Sequence, residues 1–118
     1  MIRGESFMGK ISVLKQNRDF RRIYARGRAF VDSALVLYVL KNKTGCVRCG
    51  ITASKKIGCA VERNRARRVI REAAREILPE VSCGVDLIFV ARSRTVHLKS
   101  TDMTRVLRRQ LKEAGLFQ

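Results

Sequence analysis

Apolar positions along this chain recur at helical spacing in three places and at strand spacing in the stretches between them. Residues 1–16 carry mixed polarity and two glycines, Gly4 and Gly9, without a sustained period, and are expected to form an extended or flexible arm. Phe20, Ile23 and Tyr24 then fall at i, i+3 and i+4, which predicts a short helix over 18–26, capped by Asn17 and ended at Gly27. Its other side is basic, through Arg18, Arg21, Arg22 and Arg26. Residues 29–40 are strand-like, with a break near Asp32 and Ser33 ahead of the apolar run 34–40. Lys41, Asn42, Lys43, Thr44 and Gly45 read as a hairpin loop leading to a partner strand over 46–54. That strand alternates: Val47, Cys49, Ile51 and Ala53 on a core face, Arg48, Gly50, Thr52 and Ser54 on a polar, small-residued and open one.

A second helix is predicted over 61–78. At about 100° per residue, Ala66, Val69, Ile70, Ala73 and Ile77 gather on one side, with Asn64, Arg67, Arg68, Arg71 and Arg75 opposite and Arg63 at the flank. Glu72 and Glu76 stand at helical spacings from Arg65 and Arg68, where each pair contributes about 0.2–0.5 kcal/mol. Pro79 and a turn at Ser82, Cys83 and Gly84 end the helical period. Residues 85–91 form an apolar strand suited to a sheet interior. Ser100 or Thr101 caps a last helix over 102–114, closed by Gly115, with Met103, Val106, Leu107 and Leu111 as its packing stripe. The order α-β-β-β-α-β-α describes an α+β fold, and 118 residues suffice for one domain with one core.

Charge turns this outline toward a partner class. Lys and Arg number 26 against 10 Asp and Glu, for a formal net charge of +16. A compact domain keeps that self-repulsion when a polyanion offsets it, which favours nucleic acid over an acidic protein or a membrane surface. Between Lys55 and Glu76 alone, eight bases face three acids, too few for a merely salt-bridged helix face. Arginine suits phosphate because its planar fork makes two parallel charge-assisted hydrogen bonds. Asn64 adds a donor and an acceptor suited to a sugar or base edge. No apolar run approaches the roughly 20 residues needed to cross a bilayer, and the start of the chain lacks the apolar core of a signal peptide, so a cytoplasmic location is expected.

Catalytic chemistry within the chain itself is poorly supplied. There is one histidine, His97, and no grouping of carboxylates outside helical salt-bridge spacings, whereas a self-sufficient nuclease needs clustered carboxylates or an acid and base pair. Cys46, Cys49, Cys59 and Cys83 read as free thiols of a reducing compartment. Cys46 and Cys49 have C-x-x-C spacing, but a zinc site would need further ligands from Cys59, Cys83 or His97. Cys49 shares the core face of its strand and reads as a small core residue. No metal site and no bound cofactor are assigned to the protein alone.

The stretch SKKIGCAVERNRARRVIRE, residues 54–72, resembles the signature of the bacterial ribonuclease P protein subunit: a lysine-rich entry, Gly, Ala-Val, Arg-Asn-Arg, a basic pair and a later Arg-Glu. The likeness extends back through Leu14-Lys15, Asp19-Phe20 and Leu37-Tyr38, and forward to Leu87. The resemblance implies an RNA-binding subunit that assists a catalytic RNA in the endonucleolytic removal of 5′ leaders from precursor tRNA. The catalytic centre and its Mg²⁺ would then belong to the RNA, with one protein bound per RNA. It implies a two-layer sandwich like a ribosomal-protein domain, with a left-handed β-α-β crossover. By position it assigns Arg63, Asn64, Arg65, Arg67, Arg68 and Arg71 to the catalytic RNA, and Phe20, Tyr24, Tyr38, Ser54 and Lys55 to the single-stranded leader. Two residues depart from the family pattern: Cys59 stands where Asn is frequent, which weakens the helix start by about 1 kcal/mol, and Glu62 lowers the local positive charge while favouring the helix dipole. Phe20 and Tyr24 lie on an apolar stripe, which leaves two readings open: core packing, which suffices for both, and the stacking role that the resemblance implies, which would contribute about 1–3 kcal/mol per base. Tyr38 is expected on the less buried face with Val36 and Leu40. The alternative class is a stand-alone RNA-binding or ribosomal-type protein.

Overall fold

A computed structural model describes residues 6–8, 11–14, 16–81 and 84–116. The strands are β1 (Ser6–Met8), β2 (Ile11–Val13), β3 (Arg28–Val31), β4 (Leu35–Lys41), β5 (Arg48–Thr52) and β6 (Val85–Ala91); the helices are α1 (Asn17–Arg26), α2 (Ala60–Ile77) and α3 (Ser100–Glu113). The strands form one sheet in the order β1-β2-β5-β6-β4-β3. Residues 11–13 of the expected arm are extended and paired, adding a short parallel strand to the edge of β5. Part of the turn expected after α2, Ser82 and Cys83, lies outside the described residues.

The expected hairpin between residues 34–40 and 46–54 does not form. β6 lies between the two strands, antiparallel to β4 and parallel to β5. The physical reason is burial. Val85, Leu87, Phe89 and Ala91 point to one face of β6 and Asp86 and Ile88 to the other, and all are buried. A strand covered on both faces belongs at the sheet centre. The 41–46 loop instead arches past the start of β6, where Asn42 N–H donates to the Gly84 carbonyl at 3.2 Å. β4 instead forms a hairpin with β3, Arg28 opposite Val39 through Val31 opposite Val36. Its turn at Asp32 is fixed by the Ala34 N–H donating to Asp32 Oδ1.

Helices α2 and α3 form one layer with the sheet. Ala66, Ile70, Ala73 and Ile77 of α2 meet Leu37, Cys49, Leu87 and Phe89, with Met103, Leu107 and Leu111 of α3 completing that core. Ala74 also turns inward, widening the predicted stripe of α2. Cys49 is a core residue as expected, and burial pushes its thiol up to about 12. The opposite face is partly covered by α1, whose Ile23 packs with Leu14 and Ile88, with Phe20, Tyr38, Leu40 and Val90 partly buried against that cluster.

Several helix ends differ from expectation. Asn17 is the first residue of α1 rather than its cap, which is Gln16, without a side-chain bond. Gly27 ends α1 as predicted, in an extended conformation; it is needed because a Cβ there would stand 2.5 Å from the Ile23 carbonyl oxygen and 2.9 Å from that of Val39. α3 is capped at Lys99, whose N–H donates to Asp102 Oδ2 at 3.2 Å, so Ser100 and Thr101 lie inside the helix. Gly115 closes it with φ +76, as predicted.

Gly50 of β5 fixes how closely α1 approaches the sheet. A Cβ at that position would stand 2.5 Å from Phe20 Cζ and 3.5 Å from Leu14 Cβ. Replacing Gly50 with Ala therefore forces the Phe20 ring off the sheet, with an expected loss of about 1–3 kcal/mol. Urea unfolding measures this; an unchanged midpoint would show that the ring is not seated there.

Candidate nucleic-acid interface

Helix α2 has Cys59 at its N-cap, and its first turn is closed by Glu62. Gly58 has φ +146, a conformation that favours glycine, and a Cβ there would collide with the Glu62 carboxylate. That carboxylate accepts the Cys59 N–H at 3.2 Å. Glu62 thus closes the first turn from within, the reciprocal half of a capping box.

The six residues singled out on α2 divide by what their donors already hold. Arg63 Nη1 donates to the Gly58 carbonyl at 3.1 Å, tying the helix to its own entry turn. Arg65 Nε donates to the Val96 carbonyl at 2.8 Å, fastening the 93–97 turn. Arg67 Nη1 donates to Asn64 Oδ1 at 3.1 Å, so these two present one prearranged group. Arg68 and Arg71 are exposed and have no hydrogen-bond or ion-pair partner among the described residues. The pairs expected from Glu72 and Glu76 to Arg65 and Arg68 do not form within 4.0 Å among those residues; holding two long exposed side chains costs entropy that a screened ion pair hardly offsets.

On the α1 side of the sheet, three of the five other expected residues come together. Phe20 and Tyr24 have ring centroids 6.5 Å apart, and Tyr24 meets Tyr38 edge-on at 4.8 Å and 89°. Tyr24 is the most open of the three, at 41% exposure, whereas Phe20 and Tyr38 are half-buried. Tyr38 shares its half-buried face with Val36 and Leu40, as predicted. Ser54 and Lys55 are exposed beyond the end of β5, and among the described residues no ring, hydrogen-bond or ion-pair contact joins them to the aromatic trio.

Sequence reasoning placed Thr52 on the open face and Val36 on the less buried one, but did not join them to Val31 and Val90 in the floor beside these rings. Val31, Val36, Val90 and Thr52 stand opposite one another in a row across four strands, on the same face as Tyr38 and Ile88. α1 leaves this row partly open, with Val31 at 70% exposure. It also missed the link to α2. A cleft of about 270 Å³ at the edge of β5 is lined by Phe20, Gly50 and Ile51 together with Arg67 and Arg71, so the arginine row and the aromatic side share a border.

A family model described as Ribonuclease P matches residues 8–115 of this chain. The chain belongs to the ribonuclease P protein family. A ribonuclease P protein component from Clostridioides difficile (strain 630) is 38% identical over 104 residues, covering 87% of this chain and 91% of that protein. One from Pelotomaculum thermopropionicum is 41% identical over 112 residues, covering 92% and 97%. Among solved structures, the RNase P protein of Staphylococcus aureus at 34% identity has a TM-score of 0.79, covering 90% of this chain and 97% of the other. The Thermotoga maritima RNase P protein, at 25% identity, has a TM-score of 0.76 with 86% and 96% covered. These likenesses bear out both the family resemblance and the mixed α+β fold. No helix among the described residues is long and apolar enough to cross a membrane.

A further residue that pattern reading passed over in this family member is Asp86, the lone acid in the β6 run. Its side chain is fully buried and accepts from Arg48 Nε at 2.8 Å and Nη2 at 2.7 Å, from Arg22 Nη2 at 2.9 Å and from Asn42 Nδ2 at 2.8 Å. Burial alone would raise its pKa, but the hydrogen bonds from Arg48 and Asn42, the charge of Arg48 and the bond from Arg22 together hold it below the usual carboxylate value. The signal for it was available: a charge inside an apolar strand requires partners.

Because the folded-state pKa of Asp86 lies below the unfolded value of about 3.9, its stabilisation is present above that pH and lost as pH falls through the folded value. Asp86→Asn is expected to cost about 3 kcal/mol near neutral pH and to flatten the acid limb of the stability curve. Urea unfolding from pH 7 down to pH 2 checks both; a variant whose acid limb matches the parent would remove Asp86 from the account.

Proposed function

We propose that this protein is the RNA-binding subunit of ribonuclease P, assisting a catalytic RNA in the removal of 5′ leaders from precursor tRNA. In this reading α2 lies against the catalytic RNA. Arg68 and Arg71 supply unengaged forks to its phosphates, and Arg67 with Asn64 supplies a prearranged donor group. Arg63 and Arg65 contribute charge there while also anchoring the helix. The single-stranded leader lies over the open row of Val31, Val36, Val90 and Thr52, beside Tyr24 and Tyr38, with Phe20 at the border. Ser54 and Lys55 flank the end of that path.

The observation that supports this reading most is the shared border of the two surfaces, where Arg67, Arg71 and Phe20 line one cleft. A strand bound on the aromatic side would run within reach of cations committed to a second RNA. Open aromatic faces beside a basic row suit single-stranded RNA, because every base has a stacking face and the backbone follows the charge. Among the described residues no group of three or more His, Cys, Asp and Glu side chains converges. Following the family resemblance, the reading assigns Mg²⁺ and the hydrolytic step to the RNA subunit, and positioning and charge neutralisation to the protein, bound one to one. A chain of this charge acting in that way works in the cytoplasm.

Reconstitution with catalytic RNA and precursor tRNA tests the reading: the protein should strongly enhance cleavage at low Mg²⁺. No enhancement, together with selective binding of ribosomal RNA, would favour a stand-alone RNA-binding protein. For the arginine row, Arg68→Ala and Arg71→Ala should each weaken binding to the catalytic RNA and reduce the slope of log K against log salt by about 0.7–0.9 per lost phosphate contact. An unchanged slope would count against that contact.

A further inference from the structure

The register of β6 divides the α1 side of the sheet into three rows. Thr52, Val90 and Val36 form the open row; Gly50, Ile88 and Tyr38 lie under Phe20 and Ile23; Arg48, Asp86 and Leu40 form the third. α1 therefore lies between the aromatic cleft and whatever occupies the far row. At that far row is a pocket of about 390 Å³, bordered by Arg22 and Arg26 of α1, Lys41 at the end of β4, Lys43 in the following loop and Arg48 of β5.

Two features distinguish this pocket from an ordinary basic surface. Its floor is built. Asp86 holds Arg48 by two bonds and Arg22 by one, and Arg22 also lies 3.4 Å from Asp19. The same carboxylate accepts from Asn42, whose Oδ1 takes the N–H and hydroxyl of Thr44 at 3.0 and 2.9 Å and whose Nδ2 also donates to the Cys46 carbonyl at 3.0 Å. The loop carrying Lys43 is thus tied to the floor at both ends. Secondly, its charge is unbalanced: five cations on four segments face two carboxylates. Arg26, Lys41 and Lys43 are exposed and have no hydrogen-bond or ion-pair partner among the described residues.

We propose that this pocket is a second phosphate-binding site, on the side of α1 away from the aromatic cleft, taking phosphodiester groups of an RNA strand. The proposal rests on the RNA-binding reading above. Cations spread over four segments match the repeated charges of a strand better than a single small anion, and a fixed pair of arginines beside mobile lysines gives both orientation and reach. The strand comes from one of two sources: a leader long enough to continue past α1, or the catalytic RNA.

The variant Arg26→Ala with Lys43→Ala removes two unpartnered exposed cations, so folding should be unaffected, and unfolding curves check this. Arg26→Lys with Lys43→Arg keeps the charge. Both are compared with the parent protein in the reconstituted complex, using a precursor with a long leader and one with a leader too short to pass α1. Direct binding to catalytic RNA and to a plain single-stranded RNA is measured alongside. The alanine pair should lower the salt slope by about 0.7 per lost contact, or roughly 1.4 in all, and the charge-keeping pair should retain it. A loss confined to the long-leader precursor assigns the site to the leader, and a loss in catalytic-RNA binding assigns it to that RNA; either supports the site. Unchanged slopes in every arm, or an equal loss in the charge-keeping pair, would overturn it. Should the parent protein fail to enhance cleavage while the alanine pair still weakens single-stranded RNA binding, the ribonuclease P reading falls and the pocket stands.

Discussion

The burial of β6 on both faces is the constraint on which the rest depends. Its Val85, Leu87 and Phe89 carry the core beneath α2 and α3, while Ile88 carries the smaller core beneath α1. Both helical layers are thus indexed to one strand. Because β5 and β6 run parallel, the chain between them must cross over, and the crossover is the arginine-bearing helix itself. Placing β6 centrally is what sets α2 against the sheet with its apolar stripe inward and its guanidinium row outward.

Asp86 extends that role from packing to charge. An ionised carboxylate at the sheet centre is costly unless its acceptor sites are filled, and Arg22, Asn42 and Arg48 fill them from α1, the 41–46 loop and β5. A single buried acid thereby gathers segments far apart in sequence and leaves their remaining cationic groups at the surface. The glycines act in the opposite sense, by subtraction. Gly50 admits the Phe20 ring onto the sheet, and Gly58 admits the Glu62 carboxylate that starts α2. In each case a missing Cβ lets a functional element sit closer than any other residue would permit.

The arginine row also shows why a count of charges is not a count of available donors. Arg63 and Arg65 lie in the same dense run as Arg68 and Arg71, yet they bind backbone carbonyls of the entry turn and of the 93–97 turn. Positive charge remains at those positions, but part of each fork is structural. Cys59 and Glu62 likewise form one local arrangement, in which the carboxylate at 62 accepts the Cys59 N–H.

The sequence by itself determined the three helices, the apolar stripe of α2, the buried face of β5 with Cys49, the interior character of 85–91 and the polyanion-seeking charge. These are properties of local period and composition, which neighbours along the chain suffice to define. It misjudged the partner of β5, because strand adjacency depends on which strand most needs cover on both faces, and that is decided by competition among segments distant in sequence. The tertiary structure alone decided the open row of Val31, Val36, Val90 and Thr52, the meeting of Phe20 with Arg67 and Arg71, and the partners of Asp86. Each of these joins residues from two or more elements, and no periodicity along the chain encodes which sheet register will bring them face to face.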